Sequence, residues 1–166
     1  MKDRKTKVLF LCTGNSARSQ MAEAYLRHHG GDRFDPYSAG LRPTDIHPHT
    51  RRVMAEAGVS LDGQRAKALK EYLGRESFGY LITVCAHAEA NCPRTFLGIS
   101  RRLHWDLEDP VAFEGDEAAA LARFREIRDE IEARVLGWIA DQAIAAELAS
   151  AKLIKTDTTQ TIGQKA

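Results

Sequence analysis

An α/β fold with a short parallel sheet is what this sequence predicts, and three observations carry it. Short apolar runs alternate with segments whose apolar residues recur every three or four positions. Turn-forming residues (Gly30-Gly31, Gly40, Pro43, Gly58) fall between them. The chain of 166 residues also has the length of one ordinary domain, enough to bury a single core. Strands that alternate with helices favour a parallel sheet covered on both faces, since each parallel crossover needs a bridging element. The expected architecture is a three-layer sandwich with roughly four strands.

Each element has its own warrant. Residues 7–11 (Lys-Val-Leu-Phe-Leu) are apolar and β-prone and read as a strand buried on both faces. Residues 18–29 follow as a helix with Met21, Ala22, Tyr25 and Leu26 at helical spacing, stopped by Gly30-Gly31. Residues 34–39 read as a second strand, closed by Gly40 and Pro43. Residues 48–57 read as a second helix with Val53, Met54 and Ala57 on one face and Gly58 as its C-cap. A short helix is expected over 66–73, a third buried strand over 80–84 running into Cys85, and a fourth strand over 101–105. From Glu117 to Ala149 apolar residues such as Leu121, Phe124, Ile131 and Trp138 recur at intervals of three and four, predicting one long helix.

Residues 1–149 thus read as a single catalytic domain, and 150–166, rich in Lys, Thr and Gln, as a flexible tail. Ile144 and Leu148 continue the apolar stripe past residue 140; a docked helix and a partner subunit account for them equally, and a monomer is expected.

Charge and cysteine usage bound the function. Lys and Arg number 24 against 23 Asp and Glu, a net charge of +1, so no global field points to nucleic acid or an anionic membrane. Any anion site must be local. The apolar run from Val8 to Leu11 is shorter than the roughly 7–15 residues of a secretory signal or the ~20 of a membrane helix. A cytoplasmic location follows as the expectation, and thiols stay reduced there. Three cysteines, an odd number, argue against a structural disulfide scaffold. Free cysteines are often inert small hydrophobes, so their neighbours must decide.

Those neighbours are informative. Cys12-Thr13-Gly14-Asn15-Ser16-Ala17-Arg18-Ser19 follows the first strand and opens the first helix. Strand, tight loop and helix N-terminus together build an anion site, because successive backbone N–H groups turn inward and the helix dipole adds positive potential. Gly14 is expected to supply a backbone conformation closed to side chains. Arg18 can grip a tetrahedral oxyanion with a bidentate fork. The same field favours the Cys12 thiolate, the nucleophilic form. Ser19 can donate a hydrogen bond to the sulfur, and Asn15 can hold the loop by bonding its backbone. Cys12 and Cys85 each end a predicted strand, the edge of a parallel sheet where ligands bind.

The loop resembles the phosphate-binding loop of low-molecular-weight protein tyrosine phosphatases and of the arsenate reductases that share their fold. The resemblance continues through Met21-Ala22-Glu23-Ala24, Tyr37-Ser38-Ala39-Gly40 and Asp109-Pro110, covering roughly residues 7 to 140. It implies that Asp109 is the general acid that protonates the leaving oxygen. The loop alone does not separate the two activities, since arsenate and phosphate (and sulfate as an analogue) are near-isosteres. The cysteines do. A phosphatase needs one thiol, whereas a reductase must supply two electrons through a second thiol and export a disulfide.

Cys85 and Cys92 in Cys85-Ala-His-Ala-Glu-Ala-Asn-Cys92-Pro93 resemble the pair of the thioredoxin-coupled arsenate reductases. The resemblance implies that Cys12 attacks arsenate, Cys85 attacks Cys12 to release arsenite, and Cys92 then forms a Cys85–Cys92 disulfide. Thioredoxin, as external thiol reductant, would open that bond, although mycothiol- or glutaredoxin-type donors use a similar loop. The relay requires segment 86–98 to move, and its alanines and Gly98 suit that. Inert cysteines are the bland alternative; zinc would have to borrow His87 or His104 at an unusual spacing.

Two functional alternatives stay open: a phosphatase hydrolysing phosphomonoesters through a Cys12 phosphocysteine, and a redox-sensing module without turnover. Val111, Ala112 and Phe113 stand where eukaryotic phosphatases usually carry tyrosines, which disfavours the first. Ala17 stands where some relatives have an additional, dispensable cysteine. Some relatives also bind potassium through Asn, Glu, Ser and Asp. Asn15, Glu23 and Ser38 match, but Lys67 falls near the Asp position, so its ammonium takes the cation's place and potassium independence is expected. No metal or bound cofactor is expected. His47-Pro48-His49 reads as the start of a helix.

Overall fold

Residues 4–94 and 98–162 are described by the computed structural model, with side chains up to residue 155. The strands are β1 (Thr6–Cys12), β2 (Phe34–Gly40), β3 (Phe78–Thr83) and β4 (Ile99–His104), and the helices are α1 (Arg18–Gly30), α2 (Pro48–Glu56), α3 (Ala86–Asn91) and α4 (Glu117–Ile162). All strand pairs are parallel and the order is β2-β1-β3-β4, so the chain first steps to one side of β1 and then crosses to the other. The strand order therefore reverses between β1 and β3. Parallel sheets open a crevice at the carboxyl ends flanking such a reversal.

β1 is central and apolar because it is covered on both faces: Val8, Leu9, Phe10 and Leu11 are fully buried. Each such side chain contributes about 1.5–3 kcal/mol of burial. Register places Leu11 opposite Thr83, and the Val84 amide donates to the Leu11 carbonyl at 2.9 Å. Cys12, one residue beyond Leu11, and Cys85, two beyond Thr83, thus leave the sheet side by side.

The helices bury the stripes their spacing promised. Met21, Ala22, Tyr25 and Leu26 of α1 are buried, as are Leu121, Phe124, Ile127, Ile131, Val135 and Trp138 of α4, which packs on α1 and α2. α2 starts at Pro48 with His47 as N-cap, whose imidazole accepts the His49 amide at 3.1 Å. It ends in a Schellman arrangement: Val59 N–H reaches Met54 O at 3.0 Å and Gly58 N–H reaches Ala55 O at 3.0 Å. Gly58 sits there at φ +72, one residue beyond the C-cap Ala57, which is exposed rather than part of the buried face.

Three segments depart from expectation. The helix expected over 66–73 shrinks to a 3-10 turn at Leu69–Glu71. Ala68 instead bridges Gly40, and the Lys67 carbonyl accepts the Gly40 amide at 2.8 Å, so tertiary pairing overrides local propensity. The segment after Cys85, which the relay requires to move, is the helix α3, capped by the Cys85 side chain. Of the expected mobile stretch 86–98, residues 95–97 lie outside the described residues. Finally, α4 continues to Ile162, through most of the expected tail, with Ile144 and Leu148 exposed at 56% and 61%; residues 163–166 lie outside the described residues.

Candidate active site

The loop 12–19 is shaped by what its carbonyls meet. Those of Cys12, Thr13, Gly14 and Ser16 accept the amides of Leu41, Arg42, Thr44 and His47 at 2.8–3.1 Å. Carbonyls held outward by the 41–47 segment leave the loop amides turned inward, the geometry of an anion cradle. α1 has no side-chain cap, so its first-turn donors face the same space. Asn15, at φ 49, makes the left-handed turn that was expected of Gly14; Asn tolerates that region. Glycine is instead required at Gly40, where a Cβ would meet Thr13 O at 2.7 Å and Asn15 N at 2.9 Å.

Cys12, 3% exposed, lies at the centre. Its sulfur accepts the Asn15 amide at 3.1 Å and meets Ser19 Oγ at 2.8 Å. The direction of that second bond follows from a chain of donors. The Lys67 amide donates to Asn15 Oδ1 (2.8 Å), which orients the amide group; Asn15 Nδ2 then donates to Ser19 Oγ (2.8 Å). The Ser19 hydrogen is left for the sulfur. Burial pushes the Cys12 thiol above its ordinary value, while Ser19, the Arg18 charge and the Asn15 and Ser19 amides pull it down. Burial is the largest of these, and it acts against groups that are placed to favour the sulfur's charge.

Arg18, 8% exposed, donates to Leu107 O at 2.9 Å and lies 3.3 Å from Asp109 Oδ2. Asp109 is fixed in turn by accepting the Val111 amide at 3.1 Å. The 105–109 segment is carried there by Trp105, whose amide bonds Thr83 O at 2.8 Å and whose ring packs 5.7 Å from Phe10.

Behind the loop lies a buried polar knot. Glu23 Oε2 accepts Ser38 Oγ at 2.5 Å, Glu23 Oε1 accepts Arg27 at 2.8 Å, and the Lys67 ammonium lies 3.2 Å from Ser38 Oγ and 3.6 Å from Glu23. Burial lowers the Lys67 pKa, with Glu23 opposing. Sequence reasoning missed Gln20, which is fully buried and donates to Asn15 O (3.0 Å), Asn15 Oδ1 (2.9 Å) and Arg65 O (2.9 Å). The available signal was a polar residue beside the buried face of α1.

The other cysteines occupy the two ends of α3. Cys85, 4% exposed, accepts the Ala88 amide at 3.3 Å and touches Thr13 Oγ1 of the loop at 3.6 Å. Cys92, also 4% exposed, is its C-cap; burial pushes that thiol up and the Arg102 guanidinium beside it pulls down. All three thiols are free. Among the described residues no group of His, Cys, Asp and Glu is arranged to hold a metal, and no helix is long and apolar enough to cross a membrane. His47 and His49 instead pack on Phe124, at 5.0 and 5.3 Å.

A thiol under an amide cradle, with an arginine at its side, serves nucleophilic attack on a tetrahedral oxyanion, which places this protein among cysteine-dependent α/β enzymes. More narrowly, the chain belongs to the low molecular weight phosphotyrosine protein phosphatase family, which it matches over residues 7–151. It is 37% identical over 131 residues to the arsenate reductase of Halalkalibacterium halodurans, covering 79% of this chain and 93% of that one. A solved arsenate reductase in the phosphate-binding state superposes with a TM-score of 0.69 at 29% identity, covering 82% of this chain and 98% of that one. The thioredoxin-dependent arsenate reductase of Corynebacterium glutamicum superposes with a TM-score of 0.68 at 27% identity, covering 87% and 65%.

Proposed function

We propose that this protein reduces arsenate to arsenite through a relay of Cys12, Cys85 and Cys92, with thioredoxin as the external reductant. The observation that carries the reading is the second thiol at the anion loop: Cys85 touches Thr13, the residue after Cys12. Hydrolysis through a phosphocysteine needs one thiol, whereas reduction needs a second to take up the oxidising equivalent.

Arsenate enters the cradle, Arg18 and the loop amides take up its charge, and the Cys12 sulfur displaces one oxygen, which Asp109 protonates as it leaves as water. Cys85 then attacks the Cys12 sulfur. The S–As bond breaks with its electron pair staying on arsenic, which departs as arsenite, and a Cys12–Cys85 disulfide remains. Cys92 attacks Cys85 and frees Cys12. α3 must open for that last exchange. Seven helical steps at about 1.5 Å hold the Cα atoms of Cys85 and Cys92 about 10 Å apart, whereas a disulfide needs roughly 4.4–6.8 Å.

In the same reading Lys67 is a built-in cation. Its ammonium lies between Glu23 and Ser38, so the residues present do not fit an added potassium ion.

The test is NADPH consumption with thioredoxin and thioredoxin reductase, on adding arsenate to wild type and to Cys92→Ser. Sustained turnover that the substitution cuts to a single event is expected. Steady aryl-phosphate hydrolysis indifferent to Cys92→Ser, without arsenate-dependent consumption, would make the protein a phosphatase instead.

A further inference from the structure

We infer that His87 receives the Cys85 proton through the Thr13 hydroxyl, activating Cys85 for its attack on the Cys12 adduct. The inference deepens the reductase reading and rests on it. Cys85 is only 4% exposed, which limits the access of bulk water to its proton as the attack begins. Its sulfur lies 3.6 Å from Thr13 Oγ1, and Thr13 Oγ1 lies 3.0 Å from His87 Nδ1. A hydroxyl both accepts and donates, so it can pass a proton from S–H to a ring nitrogen. Neutral imidazole carrying its proton on Nε2 offers Nδ1 as that acceptor, and imidazole is the side chain suited to the task near neutral pH.

The surroundings leave His87 available. It is exposed at the mouth of the site. On α3, Glu89 is taken up by Thr83 at 2.5 Å and lies 3.9 Å from His104, while the Asn91 side chain donates to the His87 carbonyl at 2.8 Å. From the loop, Arg18 is turned to Leu107 and Asp109. Among the described residues, no carboxylate pairs with the His87 ring. The thiolate that results keeps the Ala88 amide, at 3.3 Å, as a donor.

The step balances. The Cys85 proton passes to Thr13 as the Thr13 proton passes to His87. The Cys85 sulfur forms the S–S bond with Cys12, the S–As bond breaks, arsenic gains the electron pair, and the two sulfurs are oxidised to the disulfide. His87 acts through Thr13 and is a positioning residue, not a group that touches arsenate.

Two measurements test it. With Cys12→Ser and Cys92→Ser, Cys85 is the sole thiol, and its alkylation by iodoacetamide is followed from about pH 5.5 to 9, spanning the histidine and thiol ranges. His87→Asn keeps a polar group near the Nδ1 position but no proton acceptor. It is expected to slow alkylation at neutral pH by about tenfold or more and shift the profile upward, with added imidazole restoring the His87→Ala variant. Superimposable profiles would overturn the inference whatever the protein reduces. The second measurement is arsenite release from Cys92→Ser given one equivalent of arsenate, where His87→Asn is expected to slow formation of the Cys12–Cys85 disulfide by about 10- to 100-fold. No arsenite from the Cys92→Ser parent would sink the reductase reading; arsenite at equal rates with and without His87 would sink this inference alone.

Discussion

Replacing Ala90 by glycine probes whether α3 must unwind for the second thiol exchange. Ala90 is exposed on the six-residue helix, of whose residues only Ala88 is buried, so the change removes no packing. Glycine within a helix costs about 0.5–1 kcal/mol relative to alanine. At the upper end, that raises the open population by about fivefold if opening precedes exchange. The Cα atoms of Cys85 and Cys92 must approach from about 10 Å to disulfide range, so the gain falls on that step. The assay starts from protein trapped as the Cys12–Cys85 disulfide. It follows conversion to Cys85–Cys92 by acid quench, alkylation and mass analysis. A rate about two- to fivefold above wild type is expected. An unchanged or slower rate would mean that α3 is already open once the first disulfide forms, and the geometric reasoning would fail.

Further outcomes follow from the loop and the knot behind it. Burial holds the Cys12 thiol above its ordinary value, so alkylation of Cys12 should rise with pH across the neutral range and beyond. Ser19→Ala removes the hydroxyl at 2.8 Å and should move that profile upward by about one to two units, since a hydrogen bond to a charged group contributes about 1.5–3 kcal/mol; a profile that does not move would refute the donor chain from Lys67 through Asn15. Lys67→Met should destabilise the fold by up to about 3 kcal/mol in urea, at the low end for a broken buried pair because Arg27 still holds Glu23. Wild-type activity should be equal in potassium and sodium, and a several-fold rise with potassium would sink the built-in cation.

The parts of this fold that depend on local pattern are legible along the chain. Apolar runs at 7–11 and 80–84 marked the two inner strands, and spacing marked the faces of α1, α2 and α4, because burial of one side of an element leaves a period in the residues. Cys12 to Ser19 was legible because strand, loop and helix N-terminus are contiguous in the chain. The Cys85 and Cys92 pair could be seen, but not how it is held.

Long-range packing sets the rest. Asn15 rather than Gly14 takes the left-handed turn because the 41–47 segment fixes the neighbouring carbonyls. Residues 66–68 forsake a helix because Gly40 and Asn15 claim their backbone. Cys12 is desolvated by the closed site while its neighbours favour its charge, and no local pattern reports that balance. Thr13, His87 and Cys85 meet because the sheet order reverses between β1 and β3, which brings residues more than seventy positions apart within hydrogen-bonding reach. Contacts of that range follow from how elements pack, and packing leaves no period along a single chain.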